Sequence, residues 1–243
     1  METRVQLQPA YVIHSQPFRN TSLLVDFFCM DYGRVRAVAK GARREKSRYR
    51  SMLQLFQPVL ISFTGRGEVK TLGNVECSVG AIKLHGKRLF SGLYINELLT
   101  RLLLNHDEHK PLYNIYQDTL IALQGEADME PLLREFELKL LAELGYGINL
   151  EVDCSSREPI VEEQLYRFVP DVGFQQAEED SAENAAVCYQ GRELLALRNL
   201  DLADASLARA AKRLLRQALS AHLGERPLHS RNLFTTGSSA TAE

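Results

Sequence analysis

The hydrophobic pattern of the chain changes near residue 80, and this change limits the folds that the chain can adopt. Before that point, short runs rich in Val, Leu, Ile and Phe are separated by turn signals such as Gly65-Arg66-Gly67, which is typical of β-strands. The predicted strands are residues 11–14, 22–28, 34–39, 58–63 and 68–75. Short strands in this number, with a long loop between the third and the fourth, predict a small closed barrel such as the OB-fold. An SH3-like barrel fits the strand count nearly as well.

After residue 82, leucines recur every three or four positions, which is the period of a helix. Further helical runs are predicted at residues 111–123, 131–144, 192–197 and 206–223. The first helix is apolar on nearly every side, so we expect it at the centre of a bundle. The predicted fold class is therefore α+β, with an N-terminal OB-fold barrel in residues 1–80 and a helical-bundle domain in residues 81–234.

Residues 149–190 interrupt the helical pattern and carry ten acidic side chains against two arginines. A short β-like piece is predicted within them at residues 165–169. We interpret the whole stretch as an irregular acidic insertion in the helical domain. The tail at residues 235–243 is small and polar, and it is predicted to be disordered.

Positive charge is concentrated between Gly33 and Arg50, where eight arginines and lysines accompany a single acid in a chain of formal net charge −2. Like charges this close repel one another unless an anionic partner neutralises them, so the segment predicts a binding site for a polyanion. A solvated loop that keeps the protein soluble is the alternative. Alternation up to Ala39 indicates a strand that leads into a basic loop. The candidate phosphate contacts are Arg34, Arg36, Lys40, Arg43, Arg44, Lys46, Arg48 and Arg50, together with Arg66 and Lys70 further along the barrel.

Three aromatic side chains near this segment, Tyr49, Phe56 and Phe63, fit two interpretations. On the barrel surface they would stack on bases, and inside it they would belong to the core.

A second basic surface is predicted on the helix at residues 206–223. A step of about 100° per residue places its cations within roughly a third of the helix circumference, opposite the apolar side. The pattern fits a second phosphate-contacting patch or a simple solvated face. Its members are Arg209, Lys212, Arg213 and Arg216.

On the helix at residues 131–144, Leu138 and Leu141 leave the main apolar stripe and lie beside Arg134. An apolar surface next to an arginine predicts a cradle for a peptide that ends in hydrophobic residues and carboxylates. Burial of both faces between helices is the alternative.

The sequence contains no recognisable catalytic motif: Gly65-Arg66-Gly67 lacks the third glycine of a dinucleotide site, and neither a P-loop nor a nucleophile elbow is present. We therefore expect a protein that binds without catalysing a reaction. Two other classes stay open, a nucleic-acid-modifying enzyme that uses the barrel to bind substrate, and an adaptor whose basic loop grips an acidic protein. The N-terminus has no secretory signal and no window is long and apolar enough for a membrane span, so we expect a soluble, cytoplasmic protein.

Several sequence blocks resemble the RecO family of bacterial recombination mediators, in the form found in gammaproteobacteria. The blocks follow one another in order along almost the whole chain. They are GRVRAVAKGARR, LQLFQPVLISFTGRGEVKTL, GLYINELLTRLL, REFELKLLAELGYGINL and PLHSRNLF.

The resemblance implies an OB-fold followed by a helical domain, binding of single- and double-stranded DNA, and annealing of complementary strands in DNA repair and recombination. It implies as partners RecR, RecA and the acidic tail of single-strand binding protein (SSB), and it leaves the participation of RecF open. It also implies that the protein lies near the nucleoid. The SSB tail would bind at Arg134, Leu138 and Leu141. Many relatives hold zinc with four cysteines in the insertion, whereas this chain has only Cys154 and Cys188 there. We therefore expect no metal and no cofactor.

Overall fold

The computed structural model describes residues 3–77, 80–177, 187–224, 226–230 and 232–233. The first five strands close into a barrel in the order β1-β2-β3-β5-β4, with β3 and β5 parallel and every other pair antiparallel. This order is that of the OB-fold, so the barrel prediction is confirmed. The strands are β1 (Thr3–Phe18), β2 (Ser22–Cys29), β3 (Gly33–Ala39), β4 (Pro58–Gly65) and β5 (Val69–Cys77).

Alternation of apolar side chains sets the barrel interior. In β3, Val35, Ala37 and Ala39 point inward and are fully buried, while the residues between them are half-exposed. Phe27 and Phe63 fill the same core. The first strand is much longer than predicted because its N-terminal half pairs with β4 and its C-terminal half with β2, and the polar residues before Tyr11 concealed that pairing from the sequence pattern.

Two helices, α2 (Gly86–Leu102) and α3 (Lys110–Gln124), pack with the barrel in one compact unit that comprises Met1–Glu126 and Pro227–Glu243. Tyr113 and Tyr116 of α3 meet Tyr11 and Phe28 of the barrel with ring centroids 5.2–5.8 Å apart. Such tilted and edge-on contacts between buried rings hold α3 against β1 and β2. The predicted domain boundary at residue 80 stays a prediction.

A second compact unit spans Ala127–Arg226. It contains α4 (Met129–Glu143), α5 (Gly191–Asn199) and α6 (Ala205–Leu223), together with a three-stranded antiparallel sheet in the order β7-β6-β8. The strands are β6 (Leu165–Val169), β7 (Gly173–Gln176) and β8 (Cys188–Gln190). The insertion is thus more regular than the sequence indicated, because strands of three and four residues are too short to give a readable pattern. Residues 178–186 of the insertion and the predicted disordered tail lie outside the described residues.

One carboxylate organises the start of this insertion. Asp153 is buried and accepts hydrogen bonds from the backbone N–H groups of Ser155 (2.7 Å), Ser156 (2.8 Å) and Gln176 (2.5 Å). Burial alone would raise its pKa, but these bonds outweigh burial and hold the pKa of Asp153 below its usual value. The described part of the insertion is therefore tied together by a charged acceptor as well as by packing.

The C-terminal segment is held to α2 by a second carboxylate. Glu97 accepts hydrogen bonds from the backbone N–H groups of His229 and Ser230, both 2.8 Å, and from the Ser230 hydroxyl at 2.5 Å. The neighbouring Leu228 is buried. Partial burial opposes the charge on Glu97, yet the donated bonds lower its pKa below the usual value. Among the helices in the described residues, none is long and apolar enough to cross a membrane.

Replacing Glu97 by Gln should loosen the C-terminal segment. Charged hydrogen bonds contribute about 1.5–3 kcal/mol each when buried, and partial exposure of this group reduces the expected loss to about 1 kcal/mol in total. Because the folded pKa of Glu97 is lowered, this stabilisation is present above the unfolded pKa of about 4.3 and is lost as the pH falls through the folded pKa. Urea unfolding at several pH values measures it.

The control for this substitution is Glu126→Gln, which removes the same charge from an exposed side chain. We expect the control to leave the free energy of unfolding within about 0.5 kcal/mol of the parent protein. Equal losses for the two variants would show that Glu97 contributes through net charge rather than through its bonds to the C-terminal segment.

Candidate nucleic-acid interface

The loop that follows β3, residues 40–50, is here called the basic loop. It leaves the barrel after Ala39 and ends in the short helix α1 (Tyr49–Met52). Six of its side chains are cationic and exposed, and its one acid is Glu45. This agrees with the predicted change from strand to loop. The exposed cations are Lys40, Arg43, Arg44, Lys46, Arg48 and Arg50.

One side of the basic loop is fastened to the turn between β1 and β2. Arg43 donates its backbone N–H to the carbonyl of Thr21 (2.8 Å) and its guanidinium to the carbonyl of Arg19 (3.4 Å). The contact brings the backbone of Arg19 next to the loop. The side chain of Arg19 is exposed, and its guanidinium lies 5.2 Å from the centroid of the Phe18 ring. Sequence reasoning missed Arg19 because it lies far from the charge cluster along the chain; the turn at Asn20-Thr21 was the only signal that could have found it.

The other side of the loop is fastened to β5. The hydroxyl of Tyr49 donates to the carbonyl of Gly73 (2.7 Å), and Arg48 donates to the side-chain oxygen of Asn74 (3.3 Å). The Arg48 guanidinium also lies over the Tyr49 ring, 5.5 Å from its centroid. The loop is therefore held at both sides, while the side chains of its six cations keep exposed surface.

Two of the three aromatic side chains belong to the core, as the second of the two interpretations predicted. Phe56 and Phe63 are buried in the core and present no ring to a base. Tyr49 is half-buried and packs against the barrel core.

Two of the predicted cations in β3 have partners within the protein. Arg36 forms a two-pronged ion pair with Asp26, at 2.7 and 3.0 Å, and Asp26 is only 1% exposed. Arg34 donates to the side chain of Asn105 (2.9 Å) and to the carbonyl of Thr100. Burial would raise the pKa of Asp26, but hydrogen bonds from His14 and Arg36 hold it below its usual value. The outer side of β3 thus carries structural ion pairing rather than available charge.

The remaining barrel cations lie in two different environments. Lys70 is 6% exposed and donates to the carbonyl of Gly65 (3.4 Å), so its ammonium has little surface to offer a phosphate. Arg66 is exposed in the turn between β4 and β5. Since Arg36 pairs with Val69 in parallel register, that turn lies at the end of β3 opposite the basic loop.

In the second unit, the predicted basic face on α6 is exposed along its whole length. Lys212 lies 3.7 Å from Glu130, and Arg213 donates to the carbonyl of Cys188 (2.7 Å) while covering the Tyr189 ring at 4.3 Å. Within the part of the chain that the structure describes, Arg209 and Arg216 make no ion pair. The face therefore offers fewer cations than the helical pattern indicated.

The predicted peptide cradle on α4 is largely closed. Arg134 is 5% exposed and lies 3.1 Å from Glu137 and 3.7 Å from Glu130, and Leu141 is fully buried. Leu138 is the one predicted member with open surface. It lines a groove of about 520 Å³ together with basic side chains that the sequence analysis did not consider, Lys139 and Arg198.

The structure brings together no metal cluster in the residues it describes, where no group of three or more His, Cys, Asp and Glu side chains could hold an ion. The expectation of no zinc rests on the cysteine spacing and stays a prediction.

The substitution Arg36→Ala tests whether Arg36 stabilises the fold or contacts DNA. Removing Arg36 leaves the buried Asp26 carboxylate with only His14 beside it, at 3.4 Å. We expect a loss of about 2 kcal/mol in the free energy of unfolding near pH 7, below the usual cost for a broken buried pair because Arg36 is partly exposed. The loss should diminish as the pH falls below about 3.9, where the unfolded Asp26 is already protonated and the lowered folded pKa no longer favours folding.

The matched comparison is Arg43→Ala, at an exposed position of the basic loop. Chemical unfolding should place this variant within about 0.5 kcal/mol of the parent protein. Affinity for an oligonucleotide, measured by fluorescence anisotropy under conditions where both variants are folded, should fall for Arg43→Ala and stay within about twofold for Arg36→Ala. The opposite ranking would make the outer side of β3 the DNA site.

Comparison with known proteins finds similarity along almost the whole chain. The chain matches the family models of the N-terminal part of recombination protein O over residues 1–79 and of its C-terminal part over residues 84–232. It is 41% identical to a DNA repair protein RecO of Coxiella burnetii, over 96% of this chain and the full length of that protein. It is 42% identical to the RecO of Cellvibrio japonicus over 97% of this chain and 99% of the relative, and 44% identical to a RecO of Escherichia coli over 93% of both.

Proposed function

Because this chain belongs to the RecO family of recombination proteins, we propose that it serves DNA repair as a binding protein whose basic loop holds DNA strands and promotes their annealing. The observation that carries the proposal is the exposure of six cations on a loop whose backbone is fastened on both sides. Arg19 extends this surface across the neighbouring turn.

The physical mechanism is charge neutralisation. Two DNA backbones repel each other, and cations that contact both lower that repulsion until complementary bases meet. No bond is made or broken in this process, so we propose a mediator without catalytic activity. A fastened loop loses less conformational entropy when it binds than a free one, which favours affinity.

The finer roles are also proposals. As RecO-family members are expected to do, the protein would bind single- and double-stranded DNA, cooperate with RecR in loading RecA onto strands covered by SSB, and act in the cytoplasm at the nucleoid. The exposed Arg209 and Arg216 on α6 and Arg66 on the barrel would add phosphate contacts. RecF participation stays open.

For the acidic SSB tail, the groove beside Leu138 supports a docking site better than Arg134 does, since the Arg134 guanidinium is buried against Glu137. Lys139 and Arg198 would supply the positive charge. Both now contact acids of this unit, Glu135 at 2.6 Å and Glu151 at 3.7 Å, so an acidic peptide would have to compete for them.

Two variants of equal charge test the DNA site. Arg44→Glu with Lys46→Glu reverses two exposed cations of the basic loop, and Lys83→Glu with Lys87→Glu reverses two exposed lysines elsewhere. Single-stranded DNA binding should weaken strongly in the first variant. Its log–log salt slope, measured between about 50 and 200 mM salt, should become shallower by about 1.4, because each lost phosphate contact contributes roughly 0.7. Annealing of complementary oligonucleotides should slow in parallel.

The control variant should keep the parent slope and annealing rate. Equal weakening of both variants would mean that net charge, rather than the basic loop, attracts DNA. Persistent turnover of DNA or RNA by the purified protein would favour a nucleic-acid-modifying enzyme, and salt-dependent binding to acidic protein without annealing would favour an adaptor.

A further inference from the structure

A groove of about 400 Å³ lies on the outer face of the barrel, over strands β1, β4 and β5. Among the residues that the structure describes, the side chains that line it include no acid. Its main lining residues are Arg4, Leu7, Ser62, Thr64, Gly73 and Asn74.

Two irregularities of the sheet form this groove, and both lie beside Ser62. On one side, Val5 pairs with Phe63 and Gln8 with Ile61, so two residues of β1 face the single residue Ser62. On the other side, the pairing of β4 with β5 also shifts between Ile61 and Phe63, which leaves Gly73 and Asn74 opposite Ser62. Bulged strands bend away from their partner, so bulges on both sides of Ser62 leave a hollow over it.

Leu7 combines two unfavourable features at the rim of the groove. Its φ angle is 51°, in the left-handed region that costs a leucine about 1 kcal/mol or more. Its side chain is nevertheless 50% exposed to solvent. The conformation is held by a hydrogen bond from the Leu7 N–H to the Ser62 hydroxyl (3.2 Å). A leucine that the bulge holds in this conformation, with half of its side chain exposed over the groove, is a candidate contact for a ligand.

The groove opens next to the basic loop. Gly73 and Asn74 line the groove and also bind the loop, through the Tyr49 hydroxyl at 2.7 Å and the Arg48 guanidinium at 3.3 Å. A Cβ atom on Gly73 would lie 3.2 Å from the carbonyl oxygen of Ser62, so a side chain at this position would crowd the groove floor. A strand that follows the cations of the loop would therefore pass the groove, with exposed Arg4 on its far side.

We propose that this groove accepts the bases of the single strand that the basic loop holds by its phosphates. Leu7 supplies an apolar contact for a base face, and Thr64 lines the groove with a hydroxyl that can bond to a base edge. Asn74 holds the groove wall instead, because its side chain accepts from Arg48 (3.3 Å) and donates to Glu76 (2.7 Å). Bases in a duplex are paired and stacked on one another, so they cannot enter. The groove would thus give the barrel a preference for single-stranded over double-stranded DNA. The inference rests on the proposed function, since the basic loop must first hold the strand.

Leu7→Asn separates base contact from folding. Asparagine tolerates the left-handed backbone better than leucine, so the free energy of unfolding should stay equal or rise. Affinity for an oligothymidine should fall about fivefold, the order expected for the loss of one partly buried apolar contact. Affinity for an abasic oligonucleotide of the same length and charge should not change. The measured quantity is the ratio of the two affinities, which should be above one in the parent protein and about fivefold lower in the variant.

Leu7→Gly is the second variant, because glycine adopts this φ without strain and carries no side chain. It should show the same loss of preference. Ile121→Gln, at an exposed apolar position of α3 outside the groove lining, should keep the parent ratio. Equal affinity of the parent protein for both oligonucleotides, or full preference in both Leu7 variants, would overturn the inference. A failure of the proposed function would be distinguished by another measurement. The variant with Arg44→Glu and Lys46→Glu would then bind the abasic oligonucleotide as tightly as the parent protein.

Discussion

The parallel pairing of β3 with β5 is the constraint on which the basic loop depends. Because β5 occupies the edge of β3, the chain cannot turn directly from β3 into β4 and must cross the end of the barrel first. The crossing is long enough to carry six exposed cations, and it has a backbone that the flanking turn and β5 hold in place. Because of this strand order, the cations of the basic loop lie on an exposed crossing instead of in a tight hairpin between β3 and β4.

Within the same cluster, strand and loop give charge two different uses. Cations that alternate outward from β3 meet polar groups on neighbouring strands and helices, and Arg36 reaches the buried Asp26. Within the part of the chain that the structure describes, the cations of the basic loop form no ion pair, and only Arg43 and Arg48 among them donate hydrogen bonds from their side chains. A guanidinium in a buried, two-pronged pair would lose that pair on binding a phosphate, at a cost that exceeds the gain from a solvent-screened contact. The loop, not the strand, is therefore the available surface.

The sequence predicted the barrel, the main helices and the position of the basic loop, because these depend on local periodicity and composition. It could not separate Arg36 from Arg43, since an acid across the sheet at Asp26 becomes visible only when strand register is known. The same limit applies to Arg134: its helical position was read correctly, but burial depends on packing within the second unit. Arg19 was missed because it is far from the basic loop along the chain, whereas the fold brings its backbone carbonyl to Arg43.

Two costs coexist in the unbound barrel, namely like-charge repulsion in the basic loop and backbone strain at Leu7. Salt has two effects on the basic loop. Screening reduces the repulsion among its cations in the free protein, and it also weakens their attraction to phosphates. A bound strand neutralises the loop at low salt, so ligand binding and folding are coupled through the same charges. The apolar contact that we propose for Leu7 does not respond to salt, so it would discriminate between strands of equal charge. Affinity and selectivity would then have separate physical origins on one small barrel.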